Sequence, residues 1–90
     1  MALNLSDPSL LETRAFLGGE WVETGKTFAV TNPATGETIA DVADLTAEDT
    51  AKAVDIAYDA QKEWRARTAK ERCAILLRWN DLMLENQEDL

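Results

Sequence analysis

Asn32-Pro33-Ala34-Thr35-Gly36-Glu37 is the stretch that orders the rest of the chain. Pro33 fixes its own φ and drives Asn32 out of the helical region, while the Asn32 side chain can bond forward to backbone N–H groups as an Asx turn. Gly36 supplies the positive φ that lets the chain reverse. On either side stand runs with strand character, Thr27-Phe28-Ala29-Val30-Thr31 before the turn and Thr38-Ile39-Ala40-Asp41-Val42 after it.

Upstream, Ala15-Phe16-Leu17 and Trp21-Val22 flank Gly18-Gly19, a pair suited to positive φ, and read as a hairpin. Glu23-Thr24-Gly25-Lys26 is a loop. Asp7-Pro8 opens a short helix of one or two turns, with Asp7 as N-cap and Pro8 where a missing N–H costs nothing.

Downstream, the period changes at Thr46 from two to about 3.6. Thr46 caps a helix in which Glu48 and Asp49 suit the positive pole, and Ala51, Val54, Ala57, Tyr58, Gln61 and Trp64 form one stripe. After a break near Arg67, Thr68-Ala69-Lys70-Glu71 matches the capping box in full. The second helix carries an apolar arc from Cys73 to Leu84, wider than one covered surface needs. It reads as still running at Leu90, since Glu85, Glu88 and Asp89 would crowd the negative pole with no Gly or Asn closing the last turn. The expected division is therefore an arm over 1–14, strands over 15–43 and helices over 46–66 and 68–90, the last truncated in the opening piece of a longer protein.

A chain of 90 residues is one domain at most, and one of this size buries only roughly 60–65% of its unfolded surface. The net charge of −8 disfavours nucleic acid and anionic membranes as partners. With 46% hydrophobic residues the chain is too apolar for an acidic disordered tail. One cysteine and no histidine exclude an intrachain disulfide and a thiolate–imidazole metal set, and fit a reducing cytoplasm. The first residues lack the basic and apolar regions of a secretory leader, and no apolar run approaches the ~18 residues of a membrane span.

Candidate chemistry is sparse. Gly25-Lys26-Thr27 lacks the earlier Gly of a phosphate loop, because Glu20 stands there, and a strand follows rather than a helix. Cys73 has no histidine to activate it and lies on the apolar side of its helix, which favours core packing. Trp21, Trp64 and Trp79 read as core or interface residues, and Arg65, Arg67, Lys70 and Arg72 as structural or inter-domain charges around the helix break.

The order Ala15-Phe16-Leu17-Gly18-Gly19-Glu20-Trp21-Val22, then Thr27-Phe28-x-Val30-x-Asn32-Pro33-Ala34-Thr35-Gly36-Glu37, resembles the start of the NAD(P)-dependent aldehyde dehydrogenase superfamily. Ala53-Val54-x-x-Ala57, Trp64 and Glu71-Arg72-x-x-Ile75-Leu76 extend the likeness over nearly the whole chain, and Trp64-Arg65-Ala66 with Arg78-Trp79 most resembles its succinate-semialdehyde branch. The resemblance implies an α/β fold, with this piece leading into a Rossmann-like cofactor domain of a homo-tetramer or dimer. It implies a small-molecule aldehyde substrate, NADP or NAD as cofactor, a cysteine nucleophile, and a glutamate-activated water that releases the acid. None of those catalytic or cofactor residues falls within the 90 residues, so the piece alone is expected to be inactive. It further implies a monovalent cation held by the main-chain carbonyls of Val30 and Thr31 together with a downstream acidic residue. The competing expectations are a non-enzymatic module docking through its apolar helix face, and the same fold with another specificity, such as betaine aldehyde.

Overall fold

The computed structural model describes residues 3–90; the first two residues of the expected arm, Met1 and Ala2, lie outside the described residues. A 3-10 turn over Pro8–Leu10 leads into two antiparallel strand pairs and two helices. Strands β1 (Ala15–Leu17) and β2 (Glu20–Val22) form one pair, β3 (Thr27–Thr31) and β4 (Thr38–Ala43) the other. Helix α1 spans Ala47–Ala66 and α2 Ala69–Glu85. The α/β class follows, with short antiparallel ribbons beside two long helices.

Each reversal uses the chemistry that its sequence carries. Gly18 and Gly19 adopt φ 59° and 81°, the two positive values of a tight hairpin turn, and pair Leu17 with Glu20 and Phe16 with Trp21. In the Asn32 turn, Asn32 Oδ1 accepts from Ala34 N at 2.9 Å, Gly36 N donates to the Asn32 carbonyl at 2.7 Å, and Gly36 has φ 78°. Asp7 caps the 3-10 turn by accepting from Ser9 N at 3.1 Å, and that turn is a single one.

The capping box belongs to α1 rather than to α2. Thr46 Oγ1 accepts from Asp49 N, while Asp49 Oδ2 accepts from Thr46 N at 3.1 Å, so two orphan N–H groups are closed reciprocally. At α2 the expected box is half made. Thr68 Oγ1 accepts from Glu71 N, but the Glu71 carboxylate takes the Thr68 hydroxyl proton instead of the backbone N–H. In peptides spanning each helix, Thr46→Ala and Thr68→Ala should each cost about 1 kcal/mol of helix stability. Loss of helical circular dichroism should be larger for Thr68→Ala, because the Thr46 backbone N–H keeps its bond to Asp49 Oδ2 after substitution, whereas Glu71 loses the Thr68 hydroxyl that is its donor.

Helix α2 does not run to Leu90. It ends at Glu85, with Asn86 as its cap: Asn86 N and Nδ2 both donate to the Leu82 carbonyl, and residues 86–89 form turns. The sequence reading missed Asn86 because it sought the closing residue at the last position. An Asn is one of the two residue types that terminate helices well.

Which residues the fold covers also differs from the expected stripe. No described residue is fully buried, and Val54 and Tyr58 are 61% and 70% exposed. The face of α1 that does meet a neighbour carries Ala53, Ile56, Ala57 and Ala60, opposite the β1–β2 turn. A Cβ added at Gly18 would sit 3.5 Å from Ile56 Cγ2, an ordinary contact distance, so the hairpin turn lies beside this face. Cys73 is exposed rather than packed, as are Trp21 and Trp79, while Trp64 is partly covered. The apolar arc of α2 is left about half exposed, with Leu76, Leu77 and Leu84 at 50%, 58% and 62%.

Candidate functional site

The β3–β4 ribbon positions Val30 and Thr31. Its register pairs Val30 with Ala40 and Thr31 with Thr38, which leaves Ile39 as an extra residue on β4. Asn32, next along β3, points its backbone toward β4, since its N–H donates to the Glu37 carbonyl at 2.8 Å and its carbonyl accepts from Gly36. A carbonyl has two lone pairs, and the ladder takes one. Val30 and Thr31 flank the irregularity of the ribbon, immediately before the Asn32 turn.

Around the first hairpin the structure gathers charge and aromatic surface. Phe16 and Trp21 meet edge to face, ring centres 4.8 Å apart, and the Arg14 guanidinium lies 5.8 Å from the Trp21 ring centre. Glu12 accepts from Arg14 Nε at 2.7 Å, from Nη2 at 3.1 Å and from the Arg14 backbone N–H at 3.1 Å. The side-chain bond from Arg14 first, then its backbone N–H, holds the Glu12 carboxyl down to about 2, from an ordinary 4.5. Glu12 draws the Arg14 guanidinium upward in return.

The same logic applies to Asp49, lowered chiefly by the Thr46 backbone N–H and then by the Thr46 hydroxyl. Both carboxyls titrate lower folded than unfolded. Their contributions are therefore present above the unfolded value and fade as pH falls through the folded one. Acidification should loosen the start of α1 before the rest of the helix, read as faster exchange of the Asp49 and Thr50 amides. Asp49→Asn should flatten that dependence.

The remaining candidates stay apart. Lys26 pairs with Asp44 at 3.7 Å, and Thr24 Oγ1 donates to the Lys26 carbonyl at 2.7 Å, so Gly25-Lys26-Thr27 is a plain turn tied into the ribbon. Arg67 reaches Glu63 at 3.2 Å, and Arg72 is partly covered with its Nε lacking a hydrogen-bond partner. Among the described residues no group of three or more His, Cys, Asp or Glu side chains could hold a metal ion. No described helix is long and apolar enough to cross a membrane.

Two features escaped the sequence reading. The Phe16–Trp21 pair was legible, because a two-residue Gly-Gly turn fixes that register. Asp89, expected only to crowd the negative pole of the last helix, accepts from the backbone N–H groups of Ser6 and Asp7 at 2.8 and 3.0 Å. Its partners lie at the opposite end of the sequence, and no local signal announces such a bond.

Comparison with known proteins supplies what the geometry lacks. The family model described as the aldehyde dehydrogenase family matches residues 21–90. The 3-sulfolactaldehyde dehydrogenase of Pseudomonas putida is 53% identical over 90 residues, covering 98% of this chain and 18% of the relative. A Schizosaccharomyces pombe protein (strain 972) named succinate-semialdehyde dehydrogenase (NADP+) 1 is 43% identical, covering all of this chain and 20% of the relative. The crystal structure of a succinate-semialdehyde dehydrogenase from Burkholderia pseudomallei superposes with a TM-score of 0.89 at 46% identity, covering 96% of this chain and 18% of that one. The chain thus spans about a fifth of the length of the relatives it matches.

Proposed function

Because the chain belongs to the aldehyde dehydrogenase family, we propose that it is the leading part of a longer subunit that oxidises a small aldehyde to its carboxylic acid with a nicotinamide cofactor. The observation that carries this reading is the superposition of 96% of the chain, at 46% identity, on 18% of a solved dehydrogenase. The described residues contribute scaffold. The ribbons and helices lead into the cofactor domain, and catalysis and cofactor binding lie in the remainder of the subunit, which also covers the exposed faces of α1 and α2. When bound, the nicotinamide supplies the hydride acceptor.

The substrate class we favour is an aldehyde bearing an anionic group at its far end, with succinate semialdehyde first. Succinate semialdehyde carries a carboxylate and 3-sulfolactaldehyde a sulfonate, and these are the compounds in the names of the two relatives. NADP is the cofactor we favour over NAD, from the name of the yeast relative. We place the enzyme in the cytoplasm as a homo-tetramer or dimer. The main-chain carbonyls of Val30 and Thr31, each with a lone pair to spare beyond one hydrogen bond, are those we propose for a monovalent cation whose other ligands come from beyond these residues.

Steady-state kinetics of the complete gene product test the substrate class. Succinate semialdehyde and 3-sulfolactaldehyde should exceed the cationic betaine aldehyde in kcat/KM by about 100-fold, since a site that pairs a distal anion strongly rejects its opposite. Equal values, or a preference for betaine aldehyde, would assign a different specificity to the same fold.

A further inference from the structure

Asp89 stands in the turn after α2, and its two carboxylate oxygens take two consecutive backbone N–H groups 83 and 82 residues away, Ser6 at 2.8 Å and Asp7 at 3.0 Å. Those are the last donors before Pro8, which has none. The Asp7 carboxylate does not compete for them, being engaged by the N–H and hydroxyl of Ser9 at 3.1 and 2.6 Å. Asn86 prepares the other side. Its side chain caps the Leu82 carbonyl, and its own carbonyl accepts from the backbone N–H groups of Asp89 and Leu90 at 3.1 Å each, which fixes where Asp89 stands.

An aspartate just past a helix carboxyl end faces the negative pole of the macrodipole and weakens the last turn unless its charge is met. Two N–H donors meet it, as charge-assisted bonds stronger than neutral ones. We infer that Asp89 is the latch of an amino-terminal strap, residues 6–10, held against the end of α2 by this carboxylate. The strap and the helix end are therefore coupled. The strap needs the Asp89 carboxylate, and the helix end tolerates that charge because the strap is present.

Hydrogen exchange separates a latch from general stabilisation. In the Asp89→Ala variant the Ser6 and Asp7 amides should exchange at least tenfold faster, whereas the Asn86 amide, bonded to the Leu82 carbonyl, should keep or gain protection once the like charge is gone. Glu88→Ala removes a charge from the same turn without touching either N–H, and should leave Ser6 and Asp7 protected. The latch is overturned if the unmodified protein shows Ser6 and Asp7 exchanging as unbonded amides. It is equally overturned if Asp89→Ala leaves them protected, or deprotects Asn86 to the same degree. The assay rests on the longer subunit proposed above. Should the reading frame close at Leu90, that reading fails, and the same amides are compared in the 90-residue chain.

Discussion

Purified alone, the 90-residue chain should lose structure on heating without a cooperative transition and should bind a hydrophobic dye at ordinary temperature. Its accessible surface is 7363 Å², against about 5,200 Å² for a compact protein of its mass. Its Cα radius of gyration is 16.6 Å, against about 12 Å for a compact chain of this length. The difference in surface, on the order of 2,000 Å², matches what a large permanent interface removes from water. Trp79 at 60% exposure and Leu84 at 62% lie within that excess. The helices retain caps and i→i−4 bonds, so helical circular dichroism should persist while near-ultraviolet signals from the three tryptophans stay weak. Adding the remainder of the subunit should convert this into one sharp transition. A sharp, dye-free melt of the isolated chain would instead describe a self-sufficient module.

The second large effect is expected at Gly18. Its φ of +59° lies in the left-handed region, and an added Cβ would meet Ile56 side-chain atoms at 3.5 and 3.6 Å. Gly18→Val adds two methyl groups beyond that Cβ and places a β-branched residue at positive φ. Backbone strain of about 1–2 kcal/mol then combines with crowding of Ile56 of about 1 kcal/mol, the low end for overpacking because Ile56 is itself 43% exposed. Gly36 has φ +78° and open space around its Cβ position, so Gly36→Val should show the strain alone. Thermal denaturation of the complete protein should rank the two, Gly18→Val lower. Equal losses would mean that the hairpin does not bear on α1.

Local rules carried most of the secondary structure. The Asn32 turn, the Gly18-Gly19 hairpin and the start of α1 are set by a few adjacent side chains, and their bonds are those the residues can make. Which residues meet something was less legible. Val54, Tyr58 and Cys73 read as covered positions and are exposed in this chain, since hydrophobic period marks a face without saying which partner lies against it. Asn86 closes α2 four residues before the end, and Asp89 bonds across the length of the sequence, so judging helix length from the final residues misled. The family was legible because turn residues and capping residues recur in a fixed order. Substrate and cofactor residues were not, because these 90 residues spell out no nucleophile–base pair, phosphate loop or thiolate–imidazole metal set.

On the proposed function, these residues begin an aldehyde dehydrogenase subunit and perform no chemistry alone. Reduction of NADP+ in the presence of succinate semialdehyde, measured side by side for the complete gene product and the 90-residue chain, tests it most directly. The complete product should reduce NADP+ in proportion to aldehyde consumed, and the chain alone should give no rate above the uncatalysed background. Reduction by the chain alone, or none by the complete product with succinate semialdehyde or any other aldehyde, would contradict it.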